Sequence, residues 1–455
     1  MPNLVRPFRA CTIAILFSYA CAPTALATEL FASTYQVPDT AARLFTDVHL
    51  YTGTGAANGN TQVLIVDGKI QEIGTNIQAP NVEVIEGGGR WLTPGIIDVH
   101  SHMGDYPAPA IASTRDGNEA TSPNTARVWA EHSVWPQDPQ FALALAGGIT
   151  TLQVLPGSAN LFGGRGVTLK NVPSRTVQGM KYPNAKQGLK MACGENPKRV
   201  YGGKGQAPST RMGNVAGYRE AWAKATDYRR KVKAHEADPS KALPDRDLTM
   251  ETLVGVLEGD IIVHNHCYRA DEMANMIDVS REFGYQIGTF HHAVESYKFA
   301  DQLAQENICS AMWADWWGSK LELFDGVQQN VALVHNAGAC AIVHSDSAYG
   351  IQRLNQEAAK ALAAGQRMGL EITKAEAMSW ITKNAAKSLQ IDEQTGSIEV
   401  GKAADLVLWN QDPLSVYALA DLVFIDGHLY FDRNDPDVRP VSDFALGLSV
   451  EGQHE

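Results

Sequence analysis

The hydrophobic pattern divides the chain into two kinds of segment. Near both ends, short alternating apolar runs are broken by turn signals, as at residues 62–66 before Asp67-Gly68 and 422–425 before Asp426-Gly427. An Asp-Gly pair between two such runs is typical of a β-hairpin. The two ends are therefore predicted to combine into one small β-domain.

The middle of the chain alternates short apolar runs with amphipathic stretches, which is typical of parallel strands joined by helices. A polar stretch at residues 218–247 is predicted to be a surface helical insertion. The predicted strands are residues 95–99, 148–154, 188–193, 260–263, 286–290, 308–312 and 339–343. The predicted class is α/β, a (β/α)8 TIM barrel at residues 93–396 with a small β-sandwich domain from residues 28–92 and 397–455.

The first 27 residues are predicted to be a secretory signal peptide. Arg6 and Arg9 precede an apolar run at residues 10–20, and the small-residue sequence Ala25-Leu26-Ala27 follows. The apolar run is too short to span a membrane. The protein is therefore expected to be exported to a periplasm or secreted, without membrane attachment after cleavage. The alternative is a buried N-terminal helix.

Charge and cysteine content narrow the function classes. The chain has 38 basic and 50 acidic residues, a net charge of −12, and loss of Arg6 and Arg9 would leave 36 against 50, or −14. Nucleic acid is not expected as a partner of so acidic a protein. A small-molecule substrate is expected, and a homo-oligomer is left open.

Four cysteines are expected to be buried free thiols, with a bridge as the alternative in an oxidising compartment: Cys193, Cys267, Cys309 and Cys340.

Histidines and a carboxylate recur at the ends of the predicted strands. His100 and His102 are two positions apart, so strand alternation directs both imidazoles to one face. Barrel enzymes place their active sites at the carboxyl ends of the strands. Other polar side chains follow three later strands, at His264 and His266, His291 and His292, and Asp346. The pattern favours a shared metal site.

These motifs resemble those of the amidohydrolase superfamily, in particular its imidazolonepropionase-like group. The sequence Leu-Thr-Pro-Gly-Ile-Ile-Asp-Val-His-Ser-His at residues 92–102 is similar to the family's first barrel strand, and His344-Ser-Asp346 to the eighth. The segments from His266 and from Phe290 are similar to the fifth and sixth. The resemblance covers nearly the whole mature chain. It implies hydrolysis of a C–N amide or cyclic amide bond in a small molecule or dipeptide by metal-activated water.

The resemblance also implies a divalent metal centre, with zinc favoured and two ions per chain. The implied ligands are His100, His102, His266, His292 and Asp346, and Asp346 would also carry the proton. An anionic bridge between the ions is expected from Glu195 or from a carboxylated Lys190, with a preference for Glu195.

The remaining site residues are assigned to catalysis or to substrate binding. His264 and His291 are expected to donate to the oxyanion, the alternative being ordinary barrel-mouth residues. Arg165 and Arg199, with Tyr297, are the candidates for holding a substrate. Two other functions stay open: an esterase or lactonase that uses the same ligands, and a non-catalytic periplasmic binding protein.

Overall fold

The computed structural model describes residues 31–316 and 318–440, so the predicted signal peptide lies outside the described residues. Residues 33–440 cluster as one compact unit. The domain boundaries given above therefore remain predictions. In the described part of the chain, no helix has the length and apolar character needed to cross a membrane.

The strands that the structure describes belong to two sheets. The terminal sheet contains β1 Arg43–Tyr51, β2 Ala57–Val66, β3 Lys69–Gly74, β4 Glu83–Glu86, β5 Trp91–Pro94, β14 Leu406–Trp409, β15 Ala420–Ile425 and β16 His428–Asp432. The barrel sheet contains β6 Ile96–Ser101, β7 Ile149–Val154, β8 Phe162–Lys170, β9 Gly188–Ala192, β10 Ile262–His266, β11 Ile287–His291, β12 Cys309–Met312 and β13 Ala341–Val343.

The α-helices lie between the barrel strands or follow the last of them, and the longest, α3, contains most of the predicted helical insertion. Their bounds are α1 Gln140–Ala146, α2 Glu195–Gly202, α3 Arg211–Ala237, α4 Leu248–Glu258, α5 Ala270–Phe283, α6 Ala300–Gln305, α7 Asn330–Asn336, α8 Leu354–Arg367, α9 Lys374–Ser379 and α10 Lys383–Ser388.

The terminal sheet is built from both ends of the chain, as predicted. Its strand order is β16-β15-β14-β5-β1-β2-β3, with β4 beside β1. Asp67 and Gly68 have φ values of 49° and 73°, and Asp426 and Gly427 have 47° and 71°. Two successive positive φ values match the type I′ hairpin turn that Asp-Gly favours. Both hairpins are confirmed.

The second sheet is a nearly closed barrel in the order β6 to β13, which confirms the fold class. All seven predicted strands are present. The eighth, β8, was not predicted, and it runs antiparallel to both β7 and β9. Its sequence Gly163-Gly-Arg-Gly166 is typical of a loop. Hydrogen bonding to neighbours on both sides outweighs this weak local preference.

Asp98 connects the first and last barrel strands. Its Oδ1 accepts from the backbone N–H groups of His100 and Ser345, both at 3.2 Å, and the Ser345 hydroxyl donates to Oδ2. The Asp346 N–H also donates to the His100 carbonyl at 3.1 Å. Burial raises the pKa of Asp98 to about 7, although the hydrogen bonds from Ser345 and His100 oppose the rise. One buried carboxyl group thus ties the strand ends that carry the site.

Two disulfides correct the expectation of free thiols. Cys193–Cys267 joins the residues that directly follow β9 and β10, and Cys309–Cys340 joins the start of β12 to the residue before β13. In each pair the cysteines lie beside each other at the same end of two neighbouring strands, with Cα atoms 5.2 and 4.5 Å apart. Separations of 74 and 31 residues do not reveal this register, which depends on how the strands pair.

Replacing Asp98 with alanine should destabilise the barrel. The hydroxyl and the two backbone N–H groups that it pairs would lose their acceptor, and each buried unsatisfied group costs about 1–3 kcal/mol. We expect urea unfolding to show that the free energy of unfolding falls by at least that amount. The exposed Asp245→Ala should change the free energy of unfolding by less than about 0.5 kcal/mol. Equal effects of the two variants would contradict a role for Asp98 in closing the barrel.

Candidate metal centre

The barrel strands bring the predicted histidines together at their carboxyl ends. His100 lies near the end of β6, and backbone pairing sets His264 of β10 opposite Lys190 of β9. The same pairing sets His266 of β10 opposite His291 of β11. Because strands in a barrel alternate inward and outward side chains, these pairs share the interior face.

His291 and His292 are adjacent, yet both approach His100. Strand alternation alone would direct neighbouring side chains to opposite faces. His292 has a φ of 66°, which ends the alternation, and its ring centroid lies 4.6 Å from that of His100, against 4.8 Å for His291. Asp346 also has a positive φ, 50°. Such backbone conformations are uncommon outside glycine and cluster at functional sites.

Asp346 faces the imidazoles with its carboxylate. Its Oδ1 lies 3.1 Å from His102 Nε2 and 3.6 Å from His100 Nε2, and Oδ2 lies 3.8 Å from His292 Nδ1. His102 Nδ1 donates to the Leu155 carbonyl at 2.7 Å, so in the neutral ring the Nε2 lone pair faces the carboxylate. Two lone pairs at 3.1 Å need a proton or a metal cation between them.

The charge of Asp346 is favoured by its surroundings. Burial would raise its pKa, but the hydrogen bond and charge of His102, with the charges of His344 and Lys190, lower the pKa below its ordinary value. The carboxylate is therefore ionised near neutral pH.

Several buried imidazole nitrogens have no hydrogen-bond partner within the described residues. They are both nitrogens of His266 and the Nδ1 atoms of His292 and His344. Buried polar atoms in proteins are almost always paired, so a group of unpaired imidazole nitrogens beside a carboxylate fits a bound cation. Two groups have ligand atoms within 4.8 Å of one another: His100, His292 and His344, and His100, His102 and Asp346. Imidazole and carboxylate donors suit zinc. The residues present thus fit a metal centre.

His344 and Trp313 were not predicted as site residues. The backbone N–H of His292 donates to His344 Nε2 at 3.3 Å, and the Trp313 ring stacks on the His292 ring with centroids 4.4 Å apart. Trp313 Nε1 also donates to the Ser345 carbonyl at 3.2 Å. His344 could have been found, because it directly follows a predicted strand. Nothing in the sequence distinguishes Trp313 from a core residue.

Lys190, and not Glu195, is grouped with the histidines. The Lys190 side chain is fully buried, its Nζ lies 3.2 Å from His100 Nε2, and no described carboxylate forms an ion pair with it. Burial lowers the pKa of Lys190 to about 7, with Asp346 opposing. Glu195 begins α2 after the chain turns at Gly194, and its Oε1 lies 3.6 Å from Lys320 Nζ. This placement does not support the preference for Glu195 as the bridge.

The structure places Arg165 on β8, engaged with other groups. Its Nε donates to Thr252 Oγ1 and its Nη1 to Gln187 Oε1, both at 2.8 Å. The guanidinium also lies over the Trp129 ring, 4.3 Å from the centroid. These contacts hold Arg165 in the barrel wall and do not support a role in substrate binding.

The other two predicted substrate residues are also not brought to the histidines. Arg199 is exposed on α2, and the Tyr297 hydroxyl donates to a backbone carbonyl at 3.0 Å. Lys320, which was not predicted, lies closer. The Lys320 Nζ is 4.2 Å from the centroid of the Tyr268 ring, and the centroids of the Tyr268 and His266 rings are 4.6 Å apart.

His264 and His291 form a buried hydrogen-bonded series below His100. His100 Nδ1 lies 2.9 Å from His291 Nδ1, His291 Nε2 lies 2.9 Å from His264 Nδ1, and His264 Nε2 lies 3.2 Å from Gln153 Nε2. All ring nitrogens of His264 and His291 are thereby engaged. The expected role of these two residues as oxyanion donors is therefore not supported, and Gln153 was not predicted at all.

A barrel with buried imidazoles and a carboxylate at its strand ends is suited to hold a catalytic metal ion. Residues 91–438 match the model of the amidohydrolase family, and the chain belongs to that family. The expectations of family and enzyme class are confirmed.

Individual relatives agree with this classification. The chain is 32% identical over 442 residues to the amidohydrolase tasK of Hapsidospora irregularis, covering 91% of this chain but 44% of that protein. It is 22% identical to the imidazolonepropionase of Rhizobium rhizogenes over 81% of this chain and 91% of that protein. A crystal structure of an amidohydrolase from Thermotoga maritima MSB8 matches with a TM-score of 0.80 and 34% identity, over 86% of this chain and 100% of that one.

Proposed function

We propose that the protein is a zinc-dependent amidohydrolase that cleaves a C–N amide or cyclic amide bond in a small molecule or dipeptide. The observation that carries the proposal is the 3.1 Å approach of Asp346 Oδ1 to His102 Nε2 among buried, unpaired imidazole nitrogens. His100, His102, His266, His292 and Asp346 would hold two ions. Bound zinc supplies a water of lowered pKa and polarises the scissile carbonyl.

Asp346 is suited to move the proton. Its side chain is half-buried, with 24% exposed, so one part meets the histidines while another reaches the open end of the barrel. Its lowered pKa keeps the group ionised, so the carboxylate can accept a proton from the attacking water. The same carboxyl group then delivers that proton to the leaving nitrogen, which is general base followed by general acid catalysis.

Asp346→Asn retains the shape of the side chain but removes its basicity. We expect kcat to fall by about 10²- to 10⁴-fold, the usual contribution of general acid–base catalysis. Steady-state kinetics should be measured together with the metal content of each sample. The exposed Asp245→Asn serves as the control and should keep full activity. Near-normal kcat in Asp346→Asn would show that another group is the base.

Lys190 is proposed as the anionic bridge, in its carboxylated form. A buried amine 3.2 Å from His100, without an ion-pair partner in the described residues, fits an unprotonated lysine. Its neutral nitrogen forms a bond to the carbon of carbon dioxide as one C–O π bond opens, and releases one proton to water, which leaves a carbamate anion. The long side chain would carry this anion to the position between the two ions.

The choice between Lys190 and Glu195 is testable by metal retention. Lys190→Ala should retain about one of two zinc ions and regain the second when a short carboxylic acid is added as a replacement bridge. Glu195→Gln is the matched control and should retain both. Elemental analysis after removal of excess ion gives the count. Loss of one ion from Glu195→Gln, with Lys190→Ala unaffected, would make Glu195 the bridge.

The position of Lys320 favours a substrate with a carboxylate near the scissile bond. Its cation lies one aromatic ring away from His266, in a protein that is acidic overall. A screen should pair N-acyl amino acids and dipeptides with their C-terminal amides, and include cyclic amides, esters and lactones. We expect the free acids to be hydrolysed faster than their amides. Turnover of esters or lactones alone would favour the alternative function.

An oxidising compartment is proposed for the mature protein, in agreement with the predicted export. The supporting observation is the pair of disulfides, which are rare in reducing compartments. The protein should be isolated from cells that express the full chain and denatured without reductant. Four of its cysteines should then show no reactive thiol. The four are Cys193, Cys267, Cys309 and Cys340. Reactive thiols at these four positions would contradict export.

A further inference from the structure

The barrel interior contains a buried series of hydrogen-bonding side chains, of which the proposed catalytic chemistry uses only the last, His100. Gln153, His264, His291 and His100 are all 0% exposed and are joined end to end by contacts of 3.2, 2.9 and 2.9 Å. We call this series the histidine relay. It begins at the side-chain amide of Gln153 on β7 and ends at His100, a proposed metal ligand.

Each contact in the relay joins two nitrogens, so only one of the two can carry the hydrogen. A neutral imidazole has one N–H and one lone pair, so fixing the tautomer of one ring fixes that of the next. The relay therefore has two polarities. In one, hydrogens point from Gln153 towards His100, and His100 Nε2 carries a hydrogen. In the other, hydrogens point towards Gln153, and His100 Nε2 presents a lone pair.

An amide is suited to the end of such a series. Turning it by 180° exchanges its donor for its acceptor, so glutamine can terminate either polarity, which an aliphatic side chain cannot. With Gln153 Nε2 towards His264, Gln153 Oε1 has no hydrogen-bond partner among the described residues. Turning the amide gives this oxygen the N–H of His264 as its donor.

The backbone around the relay leaves room for it. A Cβ on Gly188 would lie 2.7 Å from His264 Cδ2 and 2.9 Å from Gln153 Nε2, so a larger residue would displace both side chains. The absence of a side chain at Gly188, on β9, thus preserves the contact between β7 and β10.

We propose that metal binding at His100 sets the polarity of the relay, and that Gln153 is a positioning residue that follows by turning its amide. The inference rests on the proposed metal centre. A cation on His100 Nε2 requires the hydrogen on Nδ1, which donates to His291. His291 then donates from Nε2 to His264, and His264 donates from Nε2 to the oxygen of Gln153. Gln153 thereby stabilises the metal-binding tautomer of His100 through three consecutive hydrogen bonds.

The first test follows the tautomer of His264 by ¹⁵N NMR of histidine-labelled protein, with the signal assigned by its loss in His264→Asn. In the metal-free wild type we expect hydrogen on Nδ1, and after zinc loading on Nε2. In Gln153→Glu, where the carboxylate only accepts, the hydrogen should be on Nε2 before zinc is added. An unchanged tautomer in the wild type on zinc loading would overturn the relay.

The second test measures the zinc Kd by chelator competition. Gln153→Met keeps the size of the side chain but removes both hydrogen-bonding groups. We expect its Kd to rise by about 10- to 100-fold, as for other groups that orient metal ligands. Gln153→Glu should restore binding to the wild-type level. Asn265→Leu, which removes a buried amide on the opposite face of β10, is the matched control and should leave the Kd unchanged.

The outcomes separate the two proposals. If the wild type does not bind zinc, the proposed function fails. If the wild type binds zinc and Gln153→Met binds it equally well, the relay fails and the metal centre stands. If Gln153→Met does not fold, the NMR comparison of the wild type with Gln153→Glu still decides.

Discussion

The structure depends on one constraint, which is that every nitrogen lone pair buried in the barrel must meet a hydrogen or a cation. Six histidines of 2% exposure or less and a fully buried lysine share this interior: His100, His264, His266, His291, His292, His344 and Lys190. Burial lowers the pKa of each of these groups, so the interior favours neutral imidazoles and a neutral amine. Neutral nitrogens are the forms that bind zinc or react with carbon dioxide.

The fold meets this constraint in two layers. Deep in the barrel, His264 and His291 satisfy each other, with Gln153 at one end and His100 at the other. At the strand ends, His266 and His292 keep unpaired nitrogens. In the lower layer each ring nitrogen of His264 and His291 is paired with a protein group, whereas the upper layer is complete only with an added cation. Asp346, with its lowered pKa, supplies the negative charge that such a cation needs.

Much of this could be predicted from the sequence, because strand periodicity and the Asp-Gly turns are local signals. The structure gathers five side chains that lie within about three residues of the ends of predicted strands: His100, His102, His266, His292 and Asp346. The placements that the sequence did not reveal depend on long-range register. Glu195 and Lys190 differ by five positions, yet the turn at Gly194 separates them. Arg165 belongs to a strand that a glycine-rich sequence conceals, and the disulfides join cysteines that only strand pairing brings together.

The most direct measurement is anomalous diffraction at the zinc edge from crystals of the zinc-loaded protein. We expect two peaks at the carboxyl end of the barrel, one among His100, His102 and Asp346 and one at His266 and His292, with additional density on Lys190 Nζ between them. Absence of anomalous density at these residues, in crystals that were grown with zinc, would contradict a metal centre in this barrel.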